Sequence, residues 1–371
     1  MTKLSHQLIL FTLFAFSHFF AVSQEANLLV GTYTQKGSKG IYVYHFDTAT
    51  GKAVELSHTE SVVNPSFLAI TKDKQYVYAV NESNEGAISA FNLKRNQLKL
   101  INQVTTKGAD PCYVTISPDQ KNIFVANYSG GSIAQFYRFA DGRLSNIRQL
   151  IQHQGSSINK ERQTSAHVHG TFFSPDGNYL FTPDLGMDKV YIYPFSNTKY
   201  PPLQTDKVTI IQSKEGAGPR HLCFSKNNQF IYVMEALSGN ISVYQFHKGG
   251  TKHVQSIGAH PDSFNKQAGS ADIHLSPDGR FLYASNRGEE NNIVKLKVLP
   301  NGKLDNSSKT YTSTLGNKPR NFTISEDGKW LLVANQDSDS IIIFKINPIN
   351  GDLIPTGNTI KVSMPVCLVL F

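Results

Sequence analysis

The chain has 371 residues, of which 40% are hydrophobic, 11% aromatic and only 17% charged, with 27 Gly and 16 Pro. This is too apolar for a disordered chain and too poor in charge for a coiled coil, and a chain of this size hides roughly three quarters of its unfolded surface on folding. Lys and Arg total 36 against 28 Asp and Glu, a net charge of +8 that is scattered rather than clustered, which favours a small anionic ligand and offers no patch for nucleic acid.

Lys3 precedes an apolar run over residues 8–22, and Ala21, Val22 and Ser23 supply the small residues that a signal peptidase inspects. Residues 1–23 therefore read as a secretory signal peptide, since a bilayer core demands about 20 apolar residues. Residues 24–371 read as the exported domain, periplasmic or secreted and free of the membrane. Cys112, Cys223 and Cys367 have neither CxxC nor metal-site spacing, which excludes a disulfide framework and a Cys-type zinc site.

One unit then recurs along the rest of the chain. Segments such as DPCYVTISPDQKNIFVANYS, GPRHLCFSKNNQFIYVMEAL and KPRNFTISEDGKWLLVANQD align without gaps, beginning at Pro65, Pro111, Val168, Pro219, Ser270 and Pro319, with a seventh at Pro365. The starts are 46, 57, 51, 51, 49 and 46 residues apart, close to one propeller blade of about 40–50 residues. Each unit opens with a strand apolar on alternate positions, such as Val114 and Ile116 or Leu222 and Phe224. An SPDG-like turn follows, then a second strand rich in Val, Ile, Tyr and Ala, then a third and a fourth. The fold expected is all-β, a seven-bladed β-propeller of four-stranded antiparallel blades.

At the N-terminal side, residues 28–32, 41–46 and 54–62 read as second, third and fourth strands with no first. Residues 366–371 are the orphan first strand, so both ends should complete one blade and remove the open edge. Two long connections, residues 154–166 and 260–269, are candidate lids.

In such a blade the start of the first strand and the end of the second lie at the same rim, and the first strand lines the axial channel. The start position reads Ser66, Cys112, His169, Arg220, Ala271, Arg320 and Val366. The second strands end at Asn81-Glu82, Asn127-Tyr128, Asp184-Leu185, Glu235-Ala236, Asn286-Arg287 and Asn335-Gln336. This pairs His169 with Asp184, Arg220 and His221 with Glu235, and Asp272 with Arg287. Asn81, Asn127 and Asn335 read as turn residues. His274 lies one strand pair deeper, as a core histidine or a ligand contact. Cys112 faces the channel with no base in its own blade.

The strings LLVGTYT, HVHGTFFSPDG, DLGMDKVYIYPF, GPRHLCF, ADIHLSPDGRFLYASNRG and LLVANQDSDSI resemble the seven-bladed lactonase family, which includes propeller-type 6-phosphogluconolactonases and fungal carboxymuconate-lactonising cyclases. The resemblance covers nearly the whole mature chain. It implies a site of one His, one Glu and two Arg, which fall here on His169, Glu235, Arg220 and Arg287. The function expected is hydrolysis of an anionic sugar lactone by a monomeric, cofactor-free enzyme. His169 is the expected base, Glu235 the acid/base, and Arg220 and Arg287 hold the oxyanion or the substrate's anionic group. Arg320, His221, Asp272, His274, Asp184 and Asn286 are the expected substrate-binding residues. Three alternatives stand beside it. One is a cyclase running the reverse lactonisation. Another is a lactonase with Ca²⁺ held by Asn81, Asn127, Asp184, Glu235, Asn286 and Asn335. The third is an exported propeller that binds a partner on its rim.

Overall fold

A strand that is apolar on both faces needs a neighbour on each side, and small sheets repeated around an axis supply both. The computed structural model describes residues 26–60 and 62–371 and contains seven four-stranded antiparallel sheets. Among the described residues there is no α-helix, only short 3-10 turns at Thr205–Lys207 and Gln336–Ser338, and hence no helix long and apolar enough to cross a membrane. The expected signal peptide, residues 1–23, lies outside the described residues.

From the axis outward, blade 1 holds Pro365–Leu370, Ala26–Thr32, Tyr42–Asp47 and Lys52–His58. Blade 2 holds Leu68–Ile70, Tyr76–Asn81, Ala87–Lys94 and Gln97–Thr105, and blade 3 holds Pro111–Ile116, Asn122–Asn127, Ser132–Arg138 and Leu144–Gln152. Blade 4 is Phe172–Phe173, Tyr179–Asp184, Lys189–Pro194 and Thr209–Gln212. Blade 5 is Pro219–Phe224, Phe230–Glu235, Asn240–His247 and Gly250–Gly258. Blade 6 is Ser270–Leu275, Phe281–Asn286, Asn292–Val298 and Leu304–Ser313. Blade 7 is Pro319–Ile324, Trp330–Asn335, Ser340–Ile346 and Leu353–Lys361. Both chain ends meet in blade 1 as expected. Leu29 pairs with Val369, Val30 pairs with Leu368, and Asn27 and Phe371 exchange backbone hydrogen bonds of 3.0 and 2.9 Å.

The core is divided among the gaps between blades. Period-two alternation sends Phe230, Tyr232 and Met234 toward blade 6, while Ile231 and Val233 face blade 4. A separate apolar cluster fills each of the other gaps in the same way, including the one between blades 7 and 1, where Trp330, Leu332 and Ile343 meet Leu28, Tyr44 and Phe46. Each large side chain buried there contributes about 1.5–3 kcal/mol. Buried polar tips find partners on the next blade's outer hairpin: Tyr78 Oη donates to Gly142 O at 2.8 Å, Tyr232 Oη to Gly302 O at 3.0 Å, Tyr283 Oη to Gly351 O at 2.7 Å, and Trp330 Nε1 to Thr48 O at 2.9 Å.

The two rims are built differently. At the turn rim the SPDG tetrads close on themselves. Ser276 Oγ donates to Asp278 at 2.6 Å, Asp278 also accepts the Arg280 backbone N–H at 3.0 Å, and Gly279 takes a φ of +76° that a side chain would strain. At the opposite rim the inner strands carry a bulge. Pro219 pairs with Glu235 but His221 with Met234, which leaves Arg220 as the extra residue. Cys112, Arg320 and Val366 are extra in the same way, and blade 6 shifts register between Ser270 and Ile273. A bulge re-aims the unpaired side chain out of the sheet's alternation. It delivers Cys112, Arg220, Arg320 and Val366 to the channel mouth.

Candidate active site at the channel mouth

Consecutive residues at the end of each second strand point to opposite sides. The last strand residue turns toward the connection arriving from the preceding blade. Asn81 Nδ2 donates to Val63 O at 2.9 Å, Asn286 Nδ2 to Ala259 O at 2.8 Å, and Asn335 Nδ2 to Thr314 O at 2.9 Å. Asn127 occupies the same place and donates to Ser132 Oγ at 2.9 Å. Asp184 accepts the backbone N–H of His167 at 2.8 Å and lies 2.7 Å from His153 Nδ1. Glu235 is the sixth member. It accepts from Ser242 Oγ at 2.8 Å and Ser238 Oγ at 3.0 Å, and burial pushes its carboxyl up.

These contacts correct the sequence expectation for three residues. Glu235 shares the face of Ile231 and Val233 toward blade 4, and no ion pair joins it to Arg220 among the described residues. Asp184 holds a connection rather than His169, and Asn286 does the same between blades 5 and 6. The six oxygen donors of the expected Ca²⁺ alternative are dispersed over six separate connections. No group of three or more His, Cys, Asp or Glu among the described residues is arranged for a metal.

The next residue along faces the opening, and here Tyr33, Glu82, Tyr128 and Arg287 join the bulged residues. Glu82 accepts from Tyr33 Oη at 2.8 Å and from Ser66 Oγ, and lies 3.9 Å from the Arg320 guanidinium, which is itself 5.4 Å from the Tyr33 ring. Arg220 is 2% exposed. Its Nη1 donates to Ala271 O at 2.6 Å, and its Nε is buried without a partner among the described residues. Arg287 Nε donates to Gly269 O at 2.8 Å, and Arg162, from the long connection between blades 3 and 4, donates through Nη2 to Tyr128 Oη at 3.3 Å.

The guanidinium groups act on one another. Burial and then Arg320 push Arg220 down to about 10, and burial together with Arg220, Arg320 and Arg162 pulls Arg287 well below its ordinary value. Arg320 moves the other way, because Tyr33 and Glu82 outweigh its burial. His169 is 7% exposed. Burial first, then Arg220, His221 and Arg320, hold its imidazole neutral, well below the usual histidine range. Its Nδ1 lies 3.7 Å from Cys112 Sγ, and burial raises that thiol, which disarms it as a nucleophile. The result is a cationic cluster with the Glu82 carboxylate and one neutral imidazole beside it, suited to an anion and to a carbonyl that gains negative charge.

Below the mouth, rings from four blades pack together. Phe67 stacks on Tyr113 at 3.9 Å, Tyr113 meets Phe172 at 4.7 Å, and His221 closes the group 5.2 Å from Tyr113. His221 belongs to this floor. Its Nδ1 lies 2.8 Å from Asp272, and burial with Arg220 lowers its pKa to about 3. Asp272 also accepts from His274 Nε2 at 3.0 Å and from Asn321 Nδ2. Burial opposes its charge, but His274 and the hydrogen bonds outweigh it and hold the carboxyl well below the carboxylate range. The expected pairing of Asp272 with Arg287 is therefore absent, and His274 lies on the far side of Asp272 from His221. The structure thus brings together His169, Arg220, Arg287 and Arg320. It places Glu235, Asp184 and Asn286 in the blade connections, and His221, Asp272 and His274 in the floor network. Tyr33, Glu82, Tyr128 and Arg162 were missed. The available signal was that Glu82 and Tyr128 stand in the same repeat column as Arg287.

A family model described as "Lactonase, 7-bladed beta-propeller" matches residues 27–370. The chain is 38% identical over 337 residues to a protein of Formosa agariphila named 6-phosphogluconolactonase, covering 88% of this chain and 94% of that one. It is 30% identical over 347 residues to a Bacillus subtilis protein of the same name, covering 91% and 96%. Among solved structures, the periplasmic gluconolactonase PpgL of Pseudomonas aeruginosa superposes with a TM-score of 0.88 at 37% identity, over 93% of this chain and 99% of that one.

Proposed function

The chain belongs to the seven-bladed β-propeller lactonase family, and from that premise we propose that it opens a sugar lactone to its aldonic acid at the channel mouth. The relatives named 6-phosphogluconolactonase and gluconolactonase support this substrate class. The observation that carries the reading is the set of guanidinium groups of Arg220, Arg287 and Arg320 that act on one another beside the neutral imidazole of His169, with the Glu82 carboxylate 3.9 Å from Arg320.

Glu82 takes a proton from a water molecule, and the resulting hydroxide adds to the lactone carbonyl. Arg220 and Arg287 hold the oxyanion, in a setting where preorganised donors are worth far more than in water. Collapse breaks the bond to the ring oxygen, and the departing alkoxide takes the proton back from Glu82. His169 hydrogen-bonds the substrate without changing charge, because burial first and then the cationic groups around it disfavour the imidazolium. Arg320 is tethered to Glu82 and Tyr33 and binds an anionic group of the substrate or the product carboxylate. The apolar run over residues 8–22 and the periplasmic relative support an exported enzyme.

A pH-stat assay of the mature chain on D-glucono-1,5-lactone and its 6-phosphate, with spontaneous opening subtracted, tests the reading. Acid release above the background is expected, with a loss of about 10²–10³ in kcat for Arg220→Gln. Rates equal to spontaneous opening on both lactones would overturn it.

A further inference from the structure

The connection over residues 154–166 is largely exposed, yet Gln163 in its middle is fully buried. Gln163 Nε2 donates to Leu185 O at 2.8 Å and to Asp188 Oδ1 at 2.7 Å, while its Oε1 accepts the Asn159 backbone N–H at 3.2 Å. Asn159 Oδ1 in turn accepts the backbone N–H groups of Glu161 and Arg162, each at 3.0 Å. The segment is therefore a folded strap and not a slack loop.

Asp188 is the post to which the strap is tied. It is fully buried, and besides Gln163 it accepts Ser157 Oγ and the backbone N–H groups of Gly216 and Gly218, the latter two at 2.7 Å. Donors from two segments converge on it, and no cation pairs with it among the described residues. A buried carboxylate needs such donors, and removing them one at a time leaves unsatisfied charge. One of the two segments runs directly into Pro219 and Arg220. The other carries Arg162, next to the anchor, to Tyr128 Oη at the wall of the mouth. Tyr128 stacks on His167 at 4.4 Å and meets the His169 ring at 5.2 Å, so Arg162 stands on the same wall as His169. Its charge also acts on Arg287. Among the described residues it has no carboxylate partner within salt-bridge distance.

We propose that Arg162 is a specificity-determining residue, held by the Gln163–Asp188 anchor, that recognises an anionic group on the substrate remote from the lactone carbonyl. This rests on the lactonase reading of the mouth. A guanidinium at the outer wall adds nothing to attack on the carbonyl, which Arg220 and Arg287 already face. It does discriminate a substrate whose far end carries a phosphate or a carboxylate from one whose far end is a neutral hydroxyl. Gln163 acts through Arg162 and is a positioning residue.

The test compares kcat/KM for D-glucono-1,5-lactone, its 6-phosphate and the corresponding 6-carboxylate lactone. Wild type is expected to favour the charged lactones, and the phosphate and carboxylate arms tell which anion is read. In Arg162→Gln the charged-to-neutral ratio of kcat/KM should fall about tenfold. Gln163→Ala should reduce the ratio similarly, and the double variant no further, because both remove one contact. Glu161→Gln, next to Arg162 on the exposed turn, should keep the wild-type ratio. A wild type without preference, or an Arg162→Gln variant with the preference intact, overturns the inference while the lactonase reading stands. A wild type that hydrolyses none of the three overturns both. A Gln163→Ala variant that melts earlier but keeps the ratio removes the positioning role, and if it does not fold, Arg162→Gln on the exposed turn decides alone.

Discussion

The two rims of the ring differ in how faithfully they repeat. At the turn rim the same hydroxyl-to-carboxylate or hydroxyl-to-amide bond recurs in six blades, as Thr71–Asp73, Ser117–Asp119, Ser174–Asp176, Ser225–Asn227, Ser276–Asp278 and Ser325–Asp327. At the mouth, the column after each second strand reads Tyr33, Glu82, Tyr128, Leu185, Ala236, Arg287 and Gln336. A feature present in blade after blade answers a need that every blade has, namely to reverse the chain. A column that changes each time is free of that need and open to chemistry. The boundary between the two can be one residue wide, as Glu82 and its neighbour Asn81 illustrate.

The largest effect that would sharpen this contrast is at Glu82. Glu82→Gln removes the proton acceptor while keeping the shape, so kcat should fall about 10²–10⁴-fold with little change in melting temperature. His169→Gln should cost less, because the imidazole only donates or accepts a hydrogen bond. The same assignment predicts a feature of the pH profile. Since burial and the guanidinium groups hold His169 neutral, kcat/KM should show no histidine inflection near the ordinary value of about 6.5. An inflection there that disappears in His169→Gln would make the imidazole the base and demote Glu82.

At the turn rim the expected effect has the opposite character. Asp278→Ala removes the acceptor for Ser276 Oγ at 2.6 Å and the Arg280 N–H at 3.0 Å. The turn is solvent-exposed, so the loss should be about 1 kcal/mol of stability, read from denaturant melts. Turnover per folded molecule should not change. A turn-rim substitution that lowers kcat at constant stability would break the division between the rims.

Much of this architecture was legible before any coordinates. The repeat and the turn tetrads are local patterns that concern residues near one another in the chain, and the orphan strand at Val366 was legible because the repeat left the N-terminal blade without a first strand. Strand ends such as Asn81, Asn127 and Asn335 read as structural in the sequence, and in the structure they hydrogen-bond a connection or a neighbouring strand. The gathering of His169, Arg220, Arg287 and Arg320 was also legible, since it follows from blade geometry. The side to which a residue points was not. Glu235 stands out in sequence as a carboxylate where most repeats have Asn, but alternation turns it toward blade 4 while Glu82, one column on, turns to the mouth. The bulge that frees Arg220 from this alternation leaves no mark in the string PRHL. Arg162 reaches Tyr128 from beside the buried Gln163, and a polar residue in a polar loop does not announce its own burial.

Glu235 is also where the smallest effect decides the most. Its carboxyl is pushed up by burial, against hydrogen bonds from Ser242 and Ser238, with the Asp188 charge adding to the rise. A carboxyl whose folded pKa lies above its unfolded value contributes stability that is fully present below the unfolded pKa and is lost as pH rises through the folded one. The Gln variant cannot titrate and carries no such loss. As pH rises above the ordinary carboxylate value of about 4.3, the melting temperature of Glu235→Gln should therefore rise relative to wild type, with kcat within about twofold of it. If Glu235→Gln instead lowered kcat by 10²-fold or more at unchanged stability, about the scale expected for losing an acid/base group, the carboxylate would belong to the mouth after all. The distinction between adjacent columns would then fail at the one blade where the residue type first drew attention to it.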